Sequence, residues 1–458
     1  MVRNKKRDRI SNLPDHLVSH ILSFLTTKEA VATSILSSRW KTLWTLVPSL
    51  DLDEDEFEWI LSDEKQNRKK KKWDDWDGWV CPSGFTFVQI VSKIWALRNA
   101  YPLQKFYLNL LYDCDTIHVD KWVSTAITSD LEELTLNICP NLPFDIPSTL
   151  FNYCKTLVDL RLYGNIIVDP PPSSLGFPSL KILHLLGVQY ANHDSFSRFL
   201  TCCPILEYLC LEVIEMGEEC NFIITLPTLK RLDFNMQDFL SRLEINAPAL
   251  QYLEFVGFLH KVVLLENLSN LVQAVLFVSH DSEENDNEDY GNRVMDFIRA
   301  LYNVKSLHLD SFTTECLCNV PEFDPPMFHN LAFFNFGFHS SIPHVLPLLL
   351  QRAPQLAVLT LNRDKSHLHS TSEQESLKWN FYEYVPKCLS SHLTAFQFKG
   401  FKGQKDELEL IGHILQMARI LKTMTLSSDP STEKEKIRVL KELVMFPRHS
   451  STCQITFH

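Results

Sequence analysis

The segment Leu131-Glu-Glu-Leu134-Thr-Leu136 returns with other polar fillers. It reappears as Leu157-Val-Asp-Leu160-Arg-Leu162, Leu180-Lys-Ile-Leu183-His-Leu185 and Leu206-Glu-Tyr-Leu209-Cys-Leu211. Degenerate copies begin at Leu229 and Leu250, so successive starts lie 26, 23, 26, 23 and 21 residues apart. Within each copy the fourth and sixth positions are apolar and their neighbours polar, the alternation of a strand with one buried face. So short a unit cannot hide its own apolar face and must stack on its neighbours.

A period in the twenties built on L-x-x-L-x-L is the signature of a leucine-rich repeat. Further strands are expected at Leu103–Leu108 (the first visible one), Leu271–Leu276, Val304–Leu309, Leu331–Phe336, Leu356–Leu361, Leu393–Phe398 and Leu421–Leu426. A helix or irregular turn closes each coil; Phe87 to Asn99, Phe196 to Leu200 and Val294 to Leu301 have the apolar spacing for it. The outward strand positions form a long face suited to binding. Candidates on it are Arg161, Tyr163, Tyr208, Arg231, Asp233, Tyr252, His308 and Asp310.

Composition excludes several alternatives. Glycine is scarce, at 12 of 458 residues, and neither G-x-G-x-x-G nor G-x-x-x-x-G-K-[ST] occurs. A net charge of −12, with no basic stripe along the repeats, disfavours nucleic acid. The twelve cysteines include no C-x-x-C, so they are read as small apolar fillers of a reduced, intracellular protein. No apolar run has the length of a membrane helix and no signal peptide is visible, so no membrane partner is expected and the location is cytoplasmic and/or nuclear. His16 and His20 share a helix face without a third ligand, and no catalytic or metal motif appears; no cofactor is expected.

The first fifty residues differ from the rest. Leu13, Leu17, Ile21 and Leu25 recur every four residues, with Pro14 at the first turn and Asn12 as cap. A second helix fits Lys28 to Ile35, capped by Thr26 or Thr27. A third fits Ser38 to Leu46, capped by Ser37 and stopped by Pro48, with Trp40, Leu43, Trp44 and Val47 on one face. Three such helices cannot bury all this surface among themselves. The surplus serves either a partner or the end of the stack.

The line from Ile10-Ser-Asn-Leu13-Pro14-Asp15 to Leu25, with Leu36-Ser-Ser-Arg39-Trp40-Lys41-Thr-Leu43-Trp44, resembles an F-box. Ser38 stands where lysine is frequent. The resemblance implies docking onto a Skp-type adaptor and, through it, a cullin. The contacts it implies are Leu13, Pro14, Leu17, Ile21, Leu25, Trp40, Leu43 and Trp44, some of which belong instead to the domain's own core.

Charge blocks follow, from Asp51-Leu-Asp-Glu-Asp-Glu56 to Arg68-Lys-Lys-Lys-Lys72, and read as a solvated linker with Trp73, Trp76 and Trp79 folded back on the first repeat. The acidic run His280–Asp289 reads as another solvated loop. Towards the C-terminus, Val385-Pro386-Lys-Cys388-Leu389, Gly400-Phe-Lys-Gly403 and Glu407-Leu-Glu-Leu-Ile411 resemble the FBD segment of plant F-box/leucine-rich-repeat proteins. A last helix is expected from Glu433 to Phe446.

The fold expected is therefore α/β. A three-helix F-box (8–54) and a charged linker (55–86) precede a leucine-rich-repeat solenoid of the right-handed α/β horseshoe type (87–377), closed by an FBD segment (378–455). The resemblance implies a non-catalytic, substrate-recognition subunit of a Skp–cullin–F-box ubiquitin ligase, holding an unknown target protein on the repeats. An adaptor-bound interaction protein or a small-molecule receptor without a ligase role stays open.

Overall fold

A computed structural model describes residues 10, 13–56, 86–98, 102–112, 114–138, 143–214, 221–236, 242–259, 262–279, 287–339, 342–364, 385–428 and 433–457. Asn12, the tryptophans 73, 76 and 79, the basic run and most of the acidic loop lie outside these residues. The chain divides into two compact units, 1–210 and 211–458.

In the first unit the three predicted helices are present but shorter. They are Asp15–Leu22, Thr27–Ala32 followed by a 3-10 turn, and Trp40–Leu43 continued as the 3-10 turn Trp44–Leu46. The third does not run as an α-helix from Ser38 to Leu46. Pro48 forces Val47 into extended backbone (ψ 127°), and the final turn tightens ahead of it. Thr26, not Thr27, caps the second helix through a capping box with Glu29. The Thr27 hydroxyl is otherwise engaged, accepting the N–H of Asp51 at 2.7 Å.

The acidic stretch at Asp51 is not all linker, and Leu103–Leu108 does not hold the first strand. Ser49–Asp53 is a strand, parallel to Lys105–Asn109 with Leu50 and Leu52 opposite Phe106 and Leu108. The strands Glu133–Ile138, Asp159–Gly164 and Ile182–Leu186 follow in register and in chain order. Tyr208–Val213, within which the first unit ends at Cys210, comes next, with the Tyr208 N–H on the Lys181 carbonyl at 2.9 Å. Motif leucines such as Leu134, Leu160, Leu183 and Leu209 are fully buried. Each such side chain contributes about 1.5–3 kcal/mol of transfer free energy.

The second unit continues the pattern in parallel from Arg231–Met236 through Tyr252–Phe258 and Gln273–Ser279 to Ser306–Leu309. Phe333–Phe338, Val358–Arg363, Ala395–Phe401, Thr423–Ser428 and Gln454–Phe457 complete it. The C-terminal segment thus supplies further rungs of the same kind, backed by the helices Lys405–Met417 and Glu433–Met445.

The return side was less legible. Asn221–Thr225, Arg242–Asn246 and Val262–Glu266 form a second parallel ladder where helices or irregular turns were expected. The 21-residue spacing there explains it. A rung and its two turns consume most of the unit, leaving room for an extended segment but not for a helix at 1.5 Å per residue. Longer units carry helices, as at Asn287–Ala300 and Ser311–Cys318.

Gly257 opposes Met236 across two rungs, at a φ of 130°. A Cβ there would sit 2.0 Å from the Met236 carbonyl oxygen. Gly257→Ala is therefore expected to destabilise the second unit by about 2 kcal/mol or more, measured by urea unfolding.

Candidate adaptor-docking site and ladder face

Within the first unit, helix Asp15–Leu22 turns Val18 and Leu22 inward, one helical turn apart. They meet Trp40, Leu43 and Val47, with Leu13 and Leu46 packed alongside. Trp44 is also buried, and its indole N–H donates to the Lys41 carbonyl at 3.1 Å. Arg39 fastens the end of this motif to its beginning. Its guanidinium pairs with Asp15 and donates to the Leu13 carbonyl.

This closure separates the eight predicted adaptor contacts. Trp40 and Leu43 lie in the domain's own core and Trp44 is buried as well, so the three leave little surface free. The reason is geometric: in helices this short, the i, i+3 apolar positions face the only neighbours available. Leu13 is half-buried against that core. Pro14, Leu17, Ile21 and Leu25 are exposed. So are three apolar residues that helical spacing did not single out, Phe24 (78 % exposed), Ile35 (89 %) and Leu36 (63 %). The signal for these was available, since they are large apolar residues in turns, outside the stripe that fills the core.

The domain is anchored to the first rung. Arg98, which ends helix Phe87–Leu97, is buried and donates from Nη2 to the Val47 carbonyl at 2.7 Å. Burial pulls its ionisation down to about 10. Burial, reinforced by Glu56 and Asp53, pushes the Asp51 carboxyl up to about 6. Asp53 accepts from Asn109, which accepts from Asn137, both at 2.8 Å, in a polar ladder along the strands.

On the ladder face of the first unit, Arg161 is tied to Asp159 at 2.8 Å, and Tyr208 meets His184 edge-on at 5.0 Å. Tyr163 is half-buried, and its hydroxyl's pKa is raised, chiefly by burial. In the second unit Arg231 binds Asp233 and lies 4.1 Å above the ring of Tyr252, whose hydroxyl donates to Glu254 at 2.6 Å. His308 packs edge-on against Phe277, and burial, aided by Lys399, lowers its pKa.

Asp310 departs from expectation. It caps helix Ser311–Cys318, accepting from the Thr313 N–H at 2.9 Å and the Thr313 hydroxyl at 2.5 Å. The strand Ser306–Leu309 ends just before it, so its carboxylate serves the next helix.

The nine described cysteines are free, and burial pushes the thiols of Cys154, Cys316 and Cys388 up to about 12. Among the described residues no group of three or more His, Cys, Asp or Glu is arranged to hold a metal, and no helix is long and apolar enough to cross a membrane.

The F-box domain model matches residues 10–52, and a leucine-rich-repeat model described as "At1g61320/AtMIF1, LRR domain" matches residues 98–452. The Arabidopsis thaliana F-box/FBD/LRR-repeat protein At4g26340 is 31% identical over 98% of this chain and 100% of its own length. This chain belongs to the F-box/FBD/LRR-repeat family. Two further Arabidopsis relatives are similarly full-length. The FBD-associated F-box protein At3g52670 is 31% identical over 99% of this chain and 98% of its own length. The F-box/FBD/LRR-repeat protein At4g00160 is 33% identical over 98% and 94%. An F-box joined to leucine-rich repeats suggests, in general, a substrate-recognition role in Skp–cullin–F-box ubiquitin ligases and a non-catalytic, adaptor-type protein. An F-box implies a Skp-type adaptor as partner.

Proposed function

We infer that this F-box/FBD/LRR-repeat protein is the substrate receptor of a Skp–cullin–F-box ligase. The F-box docks on the adaptor through Pro14, Leu17, Ile21 and Leu25, together with Phe24, Ile35 and Leu36, and the ladder face holds a target protein. One observation carries the reading. The F-box has a closed core of its own, yet leaves large apolar side chains in solvent around it. Such surface costs free energy until a partner covers it. The chain would supply proximity rather than bond chemistry, raising the effective concentration of a target lysine near the conjugating enzyme. A receptor of this kind works in the cytoplasm or nucleus.

The test is co-purification with a Skp-type adaptor and cullin. Leu17→Asp/Ile21→Asp is expected to weaken adaptor binding about 100-fold or more with little change in melting temperature, since both positions are exposed. Trp40→Ala is expected instead to unfold the F-box, costing about 3–5 kcal/mol. A well-folded wild type that captures no adaptor would falsify the reading. Capture of adaptor without cullin would reduce it to that of an adaptor-bound interaction protein.

A further inference from the structure

Six consecutive ladder strands of the second unit, from Gln273–Ser279 to Thr423–Ser428, place a row of uncharged side chains outward. In register, this row is Gln273, Ser306, Phe333, Val358, Ala395 and Thr423. The adjacent row runs from Val275 through His308, Asn335, Thr360 and Gln397 to Thr425. Neither row contains Asp, Glu, Lys or Arg. The two preceding strands differ, with Arg231 and Asp233 on one and Glu254 on the other. In this neutral stripe Phe333 stands 53 % exposed, although the next residue, Phe334, is buried in the core. Interface centres are depleted of charge and anchored by aromatic residues, which matches this arrangement. A charged side chain laid on the stripe would lose water and find no counter-charge within it.

We propose that this stripe, centred on Phe333, is the target-docking surface, and that its occupant is a protein segment uncharged at its centre, with apolar side chains that pack on Phe333 and Val358. The proposal deepens the receptor reading and rests on its premise that the ladder face holds a target. Lys399, in the third row beside Gln397, bounds the stripe, so charge on the occupant belongs at its flank.

The probe is a displayed library of random peptides selected on the purified full-length chain. Recovered peptides are expected to lose about 30-fold or more in affinity with Phe333→Ala and with Thr360→Lys, and to lack Asp, Glu, Lys and Arg at their centres. Val444→Ser, at a still more exposed apolar site on helix Glu433–Met445, should change nothing. Melting temperatures verify folding of each variant. Charged peptides as winners, binding indifferent to both substitutions, or no peptide captured by folded protein would each overturn the proposal. So would a dimer in sedimentation that Phe333→Ala dissolves, because the occupant would then be a second copy. Adaptor capture is scored on the same preparation. If it fails while Phe333-dependent peptides appear, the ligase reading falls and the stripe stands; the converse result leaves the ligase reading and removes the stripe.

Discussion

Leu209→Asp is expected to destroy cooperative unfolding of the first unit. Leu209 is fully buried in a motif strand. Truncating such a residue costs about 2–5 kcal/mol. Placing an unpaired carboxylate there adds several kcal/mol more. Together they approach the roughly 5–15 kcal/mol that holds a typical domain folded, and a repeat stack transmits the loss to the neighbouring rungs. Glu212→Ala, three residues further along the same strand, is the control. That carboxylate is half-exposed and accepts a 3.3 Å bond from Asn235, so its loss should cost less than about 1 kcal/mol. Circular dichroism during urea titration distinguishes the two. Equal midpoints for both variants would show that the motif leucines do not hold the stack.

The second large effect is expected at Arg363, which ends strand Val358–Arg363. Its guanidinium pairs with Glu407 in the interior, lies 5.0 Å from the Phe338 ring centre and reaches Gln404. Both members of the pair are buried. The second Glu407 oxygen accepts the backbone N–H groups of Gln404 (2.9 Å) and Lys402 (3.0 Å), so one carboxylate joins the preceding strand, the turn and the helix Lys405–Met417. Arg363→Ala leaves that charge buried and uncompensated, at a cost of about 3–5 kcal/mol. Arg363→Met/Glu407→Met should regain most of it, apart from roughly 1 kcal/mol for the lost cap. A double-mutant cycle reads the coupling directly. A loss no larger than that of Arg299→Ala, which breaks an exposed pair with Asp296, would overturn this account.

The ladder strands were readable because their pattern repeats and because a buried face demands alternation. Gln454–Phe457 escaped notice since it carries only half-buried Ile455 and Phe457 and no leucine. Ser49–Asp53 was hidden behind its acidic outward positions, whereas its inward Leu50 and Leu52 fit the pattern. The short return strands at Asn221–Thr225 and Val262–Glu266 span only five residues each, too little to distinguish a strand from a turn. In the F-box the helical stripe was legible, but its division between core and free surface was not. Trp40 and Leu17 are both large, apolar and correctly spaced, and only the packing of helices against one another shows which is enclosed.

Alternation, period and the F-box residues, all local properties of the chain, determined the class of fold and the family. Tertiary structure decided which of those side chains remain available. Registers between rungs assembled a neutral face from residues spread over 150 positions, from Gln273 to Thr423. They also brought Arg363 to Glu407 and took Asp310 out of the face to cap a helix. The physical reason is that burial and pairing depend on what lies across the ladder, and those neighbours are set by stacking rather than by adjacency in the chain.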